Sequence, residues 1–273
     1  MPAKAPATVT APRTLVTRPA REAAQWVAAL QQRGIAAQAF PLIAIGPPPD
    51  AQALQRARQR VTDYRAIMLV SGNAAQHFFD QNTALALAAQ ALAAIKTRVW
   101  SPGPGTAQTL QALGVPAAHI DRPAHDALQF DSEALWAQVQ GQVGPGERVL
   151  IVRGAEAGAV PQGTGRDWLA QQLQAAGAQV EFVVAYTRSA PAFTPEQIAQ
   201  AQQAADSGAL WLLSSSQALA HLCAALPLQD WRHARALATH PRIAQAAQAA
   251  GFGAVHECRP ALEDVAASIE SRP

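Results

Sequence analysis

The fold follows from a stretch that occurs twice: RTLVTRPAREAAQWVAALQQRGIAAQAFPLIAI, residues 13–45, and RVLIVRGAEAG, residues 148–158, continued by RDWLAQQLQAAGAQVEFVVAYTR, residues 166–188. Each copy begins with a short β-branched run, continues with an Ala/Leu/Gln stretch of helical period that ends at a glycine, and returns to a second β-branched run. Strand, helix and strand in this order predict two parallel strands joined by a helical crossover.

Two further segments repeat in the same order. Residues 64–79, YRAIMLVSGNAAQHFF, are similar to residues 207–223, SGALWLLSSSQALAHLC, and residues 100–128 are similar to residues 237–265. A period near half the chain length is too long for a solenoid and indicates two similar domains that arose by duplication. We therefore predict an α/β protein with two similar parallel-sheet domains.

Two predicted strands occupy matching places in the two copies. Ala39–Ile45 ends the first copy and Phe182–Arg188 ends the second. Each ends near prolines or small polar residues, so these strands are candidates for a paired linker between the domains. Residues 1–12, which are rich in Pro, Ala and Thr, are predicted to be disordered.

Composition and charge exclude several classes of protein. Of the 273 residues, 49% are hydrophobic and 15% are charged, which is enough apolar material for real cores. The net charge of +2 provides no polybasic surface, so no nucleic-acid partner is predicted. No segment approaches the ~20 unbroken apolar residues of a membrane span, and the first residues lack the apolar region of a signal peptide. We predict a cytoplasmic protein that does not bind membranes.

Metal, disulfide and common cofactor motifs are also missing from the sequence. Cys223 and Cys258 form no CxxC pair, and the histidines show no HExxH-like spacing. Gly103-x-Gly105 lacks the third glycine of a dinucleotide fingerprint, and neither a P-loop nor a GxSxG elbow occurs. Gly163-Thr164-Gly165 lies in a stretch rich in Gly, Ala and Pro that is more typical of a flexible loop. No cofactor and no metal are predicted.

Candidate binding residues follow the predicted strands. In open parallel sheets, ligands bind beyond the carboxyl ends of the strands, where helix N-termini present free N–H groups to anions. These loops contain hydroxyls, an amide, small residues and arginines, and few acids. An N-cap role is the alternative for each Ser and Asn. The candidates for ligand binding are Ser71, Asn73, Gly103, Thr106, Ser214 and Ser216, with Arg18, Arg153 and Arg188 as charge partners.

Tyr186 is the candidate catalytic residue. It lies at the end of the second predicted linker strand, so its ring could face a cleft between the domains. There its phenol could donate a proton to a departing hydroxyl. The alternative is a tyrosine whose ring packs on the linker while its hydroxyl lies in water.

Six short strings resemble motifs of the uroporphyrinogen-III synthase family and occur in the family's order. They are VTRP (16–19), VSGNA (70–74), GPGTA (103–107), FDSEAL (130–135), VLIVRG (149–154) and AYTRS (185–189). The resemblance extends from about residue 13 to 268, although the loop 155–165 is longer than the family pattern. It implies one domain from residues 13–41 plus 189–273, a second from 46–184, a two-stranded antiparallel linker and an active-site cleft between the domains.

The resemblance also implies an activity. Members of the family are cofactor-free lyases that cyclise hydroxymethylbilane, a linear tetrapyrrole with eight carboxylates, to uroporphyrinogen III. Water is lost and the last ring is inverted. A monomer and a transient contact with hydroxymethylbilane synthase would fit this role. Two alternatives stay open: a two-lobed cytoplasmic binding protein without catalysis, and a different α/β enzyme such as a sugar-phosphate or nucleotide transferase.

Overall fold

The computed structural model describes residues 13–79, 97–124, 130–158 and 168–271. The chain divides after Ala44 and after Ser189 into two compact units. Unit 2 is Ile45–Ser189, and unit 1 combines the chain before Ile45 with the chain after Ser189. The predicted disorder of residues 1–12 and the predicted loop at Gly163-Thr164-Gly165 lie outside the described residues.

Strands and helices alternate along the described chain. Unit 1 begins with β1 (Thr14–Val16), α1 (Ala20–Gln32) and β2 (Ala37–Ala39). The chain continues with β3 (Ala44–Gly46), α2 (Ala51–Gln59), β4 (Ala66–Leu69), α3 (Gly72–Phe79), β5 (Arg98–Trp100), α4 (Pro104–Ala112), β6 (Ile120–Asp121), α5 (Ser132–Val139), β7 (Arg148–Glu156), α6 (Trp168–Ala175) and β8 (Gln179–Ser189). Unit 1 is completed by α7 (Pro195–Asp206), β9 (Leu210–Leu213), α8 (Ser216–Ala225), β10 (Arg235–Ala238), α9 (Pro241–Ala249), β11 (Ala254–Glu257) and α10 (Leu262–Glu270).

Five strands of each sheet share one order, and β3 is an additional strand at the edge of the unit 2 sheet. The predicted α/β fold with parallel sheets is confirmed. In unit 1 the order is β11-β10-β9-β1-β2, and every pair is parallel. In unit 2 the order is β3-β8-β7-β4-β5-β6, and the pairs from β8 to β6 are parallel. Thus β7 and β8 correspond to β1 and β2, whereas β4, β5 and β6 correspond to β9, β10 and β11. In unit 1 the first strand, β1, lies next to the edge strand β2. In unit 2 the first of the five corresponding strands, β4, lies at the place that β9 occupies in unit 1.

Local sequence explains how the first crossover is built. Helix α1 buries Ala23 and Leu30 against the sheet and ends before Gly34. Gly34 has φ +78°, the left-handed conformation that glycine adopts without a Cβ penalty, and its N–H donates to the carbonyl of Gln31. The chain therefore turns sharply from α1 into β2.

The sheet of unit 2 is buried on both faces, as a parallel sheet covered by crossover helices should be. On β4, Ile67 and Leu69 belong to one apolar cluster, and Ala66 and Met68 belong to a second cluster on the opposite face. In unit 1, β1, β9 and β10 supply Val16, Leu212 and Leu237 to a cluster that also receives residues from α1 and α10. Of the helices in the described residues, none has the length and apolar character needed to cross a membrane.

The predicted linker strand Ala39–Ile45 is wrong as a continuous strand, because β2 ends at Ala39 and β3 begins at Ala44. Pro41 has no N–H to donate. The N–H groups of Phe40 and Leu42 instead donate to the carbonyls of Val16 and Thr17, at 2.9 and 3.3 Å. The second predicted linker strand, Phe182–Arg188, lies inside β8, between β3 and β7 of the unit 2 sheet.

An ion-pair network lies at the amino ends of the unit 2 strands. The Tyr64 hydroxyl donates to Glu181 Oε2 at 2.9 Å, and Arg148 Nε donates to Glu181 Oε1 at 3.0 Å. Burial, and then the hydrogen bond to the Glu181 carboxylate, raises the pKa of Tyr64 to about 12. The network therefore favours the neutral phenol.

Replacing Glu181 by glutamine should lower the pKa of Tyr64 from about 12. It should stay above the ordinary value of about 10, because burial persists. Since folding raises this pKa, the contribution of the neutral phenol to stability is complete below pH about 10 and is lost as the pH rises toward 12. NMR titration of ¹³Cζ-labelled tyrosine measures the shift. Glu147→Gln, at the same edge, is the control, and an unchanged Tyr64 titration in Glu181→Gln would contradict the assignment.

Candidate active site

The predicted site residues of each unit lie at the carboxyl ends of that unit's strands. In unit 2, Ser71 and Asn73 follow β4, Gly103 and Thr106 follow β5, Arg153 lies on the last part of β7, and Tyr186 and Arg188 lie on the last part of β8. In unit 1, Arg18 follows β1, and Ser214 and Ser216 follow β9. Parallel pairing places these ends at one edge of each sheet.

Tyr186 is buried in unit 2, with 3% of its surface exposed. Its hydroxyl lies 3.1 Å from Ser71 Oγ. Its ring is stacked on the His77 ring, with the centroids 5.6 Å apart and the planes 28° from parallel. The alternative of a phenol hydroxyl in open water is therefore wrong, and the structure brings two of the predicted residues, Tyr186 and Ser71, into contact.

Ser71 makes a second hydrogen bond besides its contact with Tyr186. The N–H of Ala74 donates to Ser71 Oγ at 3.1 Å, so Ser71 caps α3. A hydroxyl oxygen can accept two hydrogen bonds, so either Ser71 or Tyr186 can be the donor in their contact. Ser71 can donate to the phenol oxygen once the phenol proton has passed to another acceptor. The N-terminus of α3 also carries partial positive charge. Such an arrangement would stabilise negative charge on the Tyr186 oxygen if its proton were transferred.

His77 was not a predicted site residue. It lies on α3 one helical turn after Asn73, and the i, i+4 spacing was the available signal that the two residues share a helix face. The last turn of α3 is fixed from outside, because Arg58 donates from Nε to the carbonyl of Phe78 at 2.8 Å and from a terminal nitrogen to the carbonyl of His77. The ring against which Tyr186 stacks is thereby supported.

The start of α3 packs against the second turn of α4. A Cβ on Gly72 would come within 3.0 Å of Thr109 Oγ1 on α4. Asn73 and Thr106 are buried, at 7% and 8% exposure. Gly103 is the N-cap residue of α4, and its carbonyl accepts a hydrogen bond from Ser101 Oγ at 2.7 Å. Four of the predicted binding residues of unit 2, Ser71, Asn73, Gly103 and Thr106, therefore lie at the first turns of two helices that contact each other.

Each predicted arginine has an internal partner. Arg153 is 7% exposed, with its guanidinium 4.2 Å from the centre of the Phe182 ring. Arg188 pairs with Glu156 at 3.1 Å. Arg18 pairs with Glu22 at 3.2 Å and lies over the Trp26 ring. Desolvation lowers the pKa of Arg18, and Glu22 partly offsets this, but the side chain stays charged. A bound carboxylate would have to share these guanidinium groups with the partners that they already have.

The serines that follow β9 differ in their partners. Ser215 caps α8 by accepting the N–H of Ala218 at 3.3 Å, so the N-cap alternative holds for Ser215, as it does for Ser71. Ser216 is the first residue of α8, and its buried hydroxyl has no hydrogen-bond partner among the described residues. Ser216 therefore has a hydrogen-bond donor that no described residue uses, on an oxygen that is closed to solvent.

Among the residues that the structure describes, no group of three or more His, Cys, Asp or Glu side chains is placed to hold a metal ion. The described side chains at the carboxyl ends of the strands include hydroxyls, amides and arginines, and they lie beside helix N-termini.

Comparison with known proteins identifies the family. The family model described as uroporphyrinogen-III synthase HemD matches residues 24–266. The chain belongs to the uroporphyrinogen-III synthase family. The resemblance drawn from the six motifs is thus confirmed.

Curated relatives carry the family name. A uroporphyrinogen-III synthase of Synechococcus elongatus is 30% identical over 190 residues, 67% of this chain and 62% of the relative. One from Chlorobaculum parvum is 31% identical over 54% of this chain and 56% of the relative. A porphyrin biosynthesis protein HemD of Ruminiclostridium josui is 31% identical over 50% of this chain. The match spans about a quarter of that last protein, 26%, and about three-fifths of the other two.

Solved structures of the family share the fold. A uroporphyrinogen-III synthetase of Helicobacter pylori aligns over 96% of this chain and 100% of its own, with a TM-score of 0.58 and 12% identity. A mutant uroporphyrinogen III synthase of Thermus thermophilus aligns over 96% of both chains, with a TM-score of 0.51 and 16% identity. At these identities the likeness establishes the fold alone.

Proposed function

We propose that this protein is a uroporphyrinogen-III synthase. It would be a cofactor-free lyase that converts hydroxymethylbilane to uroporphyrinogen III, with loss of water and inversion of the last pyrrole ring. The observation that carries the proposal is the buried phenol of Tyr186, hydrogen-bonded to Ser71 beside a helix N-terminus, in a chain of this family. The proposal places the enzyme in the synthesis of haem and sirohaem.

Tyr186 would assist the first chemical step. The terminal hydroxyl of the bilane must leave as water, which requires a proton and leaves a protonated, electrophilic azafulvene. Tyr186 would donate that proton, and the charge left on its oxygen would be stabilised by the Ser71 hydroxyl and by the N-terminus of α3. His77, stacked on the ring, would keep the phenol in place during the transfer.

Geometry would account for the rest of the reaction. The far pyrrole attacks through its substituted carbon, and the resulting spiro intermediate fragments and recombines with that ring inverted. No nucleophilic side chain is required. Because the bilane also closes spontaneously without inversion, the protein must orient its two ends, and orientation can contribute up to ~7–11 kcal/mol. Binding of the carboxylates by helix N-termini, hydroxyls and arginines would supply that orientation.

Analysis of the product isomers tests the proposal. Hydroxymethylbilane is generated in situ, the protein is added, and the oxidised uroporphyrins are separated by chromatography. A dominant type III isomer is the expected result. If only the type I isomer forms, at the uncatalysed rate and in the presence of folded protein, the proposal is wrong. Titration with a porphyrinogen-like polycarboxylate and with nucleotides would then separate a binding protein from a nucleotide-using enzyme.

Replacing Ser216 by alanine should raise KM about 10-fold and leave kcat within about 2-fold, because a hydrogen bond to a charged group is lost from ground state and transition state alike. Steady-state kinetics of type III formation measures both parameters. Ser207→Ala is the matched control, since its hydroxyl contacts the carbonyl of Ala204 at the amino edge of the unit 1 sheet. A large fall in kcat at unchanged KM for Ser216→Ala would contradict a binding role.

The setting of the enzyme is part of the same proposal. A cytoplasmic location, where the bilane would be produced, is consistent with a biosynthetic enzyme of this family. A transient contact with hydroxymethylbilane synthase would shorten the lifetime of a substrate that closes spontaneously. Isotope dilution tests this contact. Hydroxymethylbilane synthase produces labelled bilane while unlabelled bilane is added to the solution. If the contact exists, the type III product should carry more label than free mixing of the two bilane pools predicts.

A further inference from the structure

Tyr186 lies on the face of the unit 2 sheet that simple alternation along β8 would not assign to it. Val183 and Ala185 belong to the apolar cluster that contains Phe78 of α3, whereas Phe182 packs against the cluster on the opposite face. Strict alternation would place Tyr186 with Phe182. Tyr186 instead belongs to the cluster that contains Phe78.

A bulge in β8 explains the change of face. Arg153 pairs with Val184 and Gly154 pairs with Tyr186, so Ala185 is an extra residue opposite a single step of β7. One extra residue reverses the alternation of every side chain after it. The bulge at Ala185 thus turns Tyr186 toward Ser71 and His77.

Gly154 provides the space in which the ring lies. A Cβ at residue 154 would come 2.5 Å from Cζ of Tyr186, 2.7 Å from Cε2 and 2.9 Å from Cε1. These atoms form the hydroxyl end of the ring, and such distances are far inside van der Waals contact. Any side chain at this position would displace the phenol from Ser71.

We infer that Gly154 and the bulge at Ala185 together position the Tyr186 phenol for proton donation, Gly154 by its missing side chain and the bulge by setting the face. This rests on the proposed function. Gly154 is a positioning residue, since it acts through Tyr186 and would not touch the substrate's reacting atoms. The bulge sets the direction of the ring, and the ring's place beside Ser71 then depends on residue 154 being glycine.

Gly154→Ala is the test. We expect kcat for type III formation to fall about 10-fold with KM within about 2-fold, because binding groups are left in place. In a Tyr186→Phe background the same substitution should cost less than about 2-fold, since the proton donor is already gone. Gly141→Ala, a position where an added Cβ meets nothing within 4 Å, is the control. If the kcat losses of the two single variants multiply in the double variant, the inference is wrong.

A spectroscopic measurement separates this inference from the proposed activity. Tyr64 and Tyr186 are the two tyrosines of the sequence, so ¹³Cζ-labelled protein gives two resonances. Gly154→Ala should shift the Tyr186 resonance and leave the Tyr64 resonance unchanged. If wild-type protein formed no type III isomer but the shift appeared, the proposed function would fail and the positioning would stand. An unchanged Tyr186 resonance would overturn the positioning, whatever the activity.

Folding of the variant is covered by a second substitution. If Gly154→Ala does not fold, Gly154→Ala combined with Tyr186→Ala removes the ring that the new Cβ would strike. Recovery of native circular dichroism in the double variant supports the inference. If the double variant remains unfolded while Tyr186→Ala alone folds, Gly154 is needed for another reason and the inference is wrong.

Discussion

Tyr186→Phe is expected to lower kcat for type III formation about 10- to 100-fold, at or just below the lower end of the range for general-acid catalysis. Phenylalanine keeps the ring over Gly154 and against His77 and removes only the hydroxyl that lies 3.1 Å from Ser71 Oγ. The bilane can still lose its hydroxyl with a proton from water, so activity should fall without disappearing. KM should change little, because the lost interaction belongs to the transition state.

Tyr64→Phe is the matched control for this experiment. It removes the other phenol hydroxyl of the chain, which donates to Glu181 at the amino edge of the same sheet. Steady-state kinetics with chromatographic separation of the isomers measures both variants, and circular dichroism checks their folding. Full turnover by Tyr186→Phe would remove Tyr186 from the mechanism. An equal loss in Tyr64→Phe would show that the effect is not specific to the site.

Trp211→Ala is expected to lower the free energy of unfolding of unit 1 by about 3–5 kcal/mol. The side chain is fully buried on β9, with edge contacts to Phe40 at 5.6 Å and to Trp231 at 5.8 Å between ring centroids. Alanine would leave a cavity that the surrounding strands cannot close. Urea denaturation followed by circular dichroism measures the change.

Trp211→Phe should cost much less, about 1.5 kcal/mol or below. The buried indole N–H of Trp211 has no acceptor among the described residues, so removing it relieves a desolvation penalty of about 1–3 kcal/mol that offsets part of the lost packing. Trp100→Phe is the comparison, because that equally buried indole donates to Gln142 Oε1 at 3.3 Å. Trp211→Phe as costly as Trp211→Ala would contradict this account.

The strand–helix pattern was predictable because each element is specified locally. The first repeated segment begins with the β-branched run at Thr14–Val16, and the segment 64–79 contains the apolar run Ala66–Leu69; the structure has a strand at each. The repeat predicted two similar sheets, because equivalent segments bury equivalent faces. The predicted strand over Ala39–Ile45 failed at Pro41, whose missing N–H interrupts a run that is otherwise strand-like.

The candidate site divides in the same way. Ser71 and Tyr186 could be chosen from sequence because serine before a helix and tyrosine at a strand end are chemically suggestive wherever they occur. Their mutual contact, the stacking of His77 and the role of Gly154 could not be chosen. Each depends on a distance between residues far apart in the chain and on the bulge at Ala185. No local sequence pattern predicts that bulge.

The sequence by itself determined the fold class, the duplication, the family and the types of side chain at the carboxyl ends of the strands. Hydrophobic period, turn residues and motif order can be recognised in the sequence itself, without knowledge of the tertiary structure. Only the tertiary structure decided that β7 and β8 pair with one residue in excess, which turns Tyr186 to the face of α3. Pairing register is set by the summed packing of both sheet faces, and one residue of slip reverses which side chains meet.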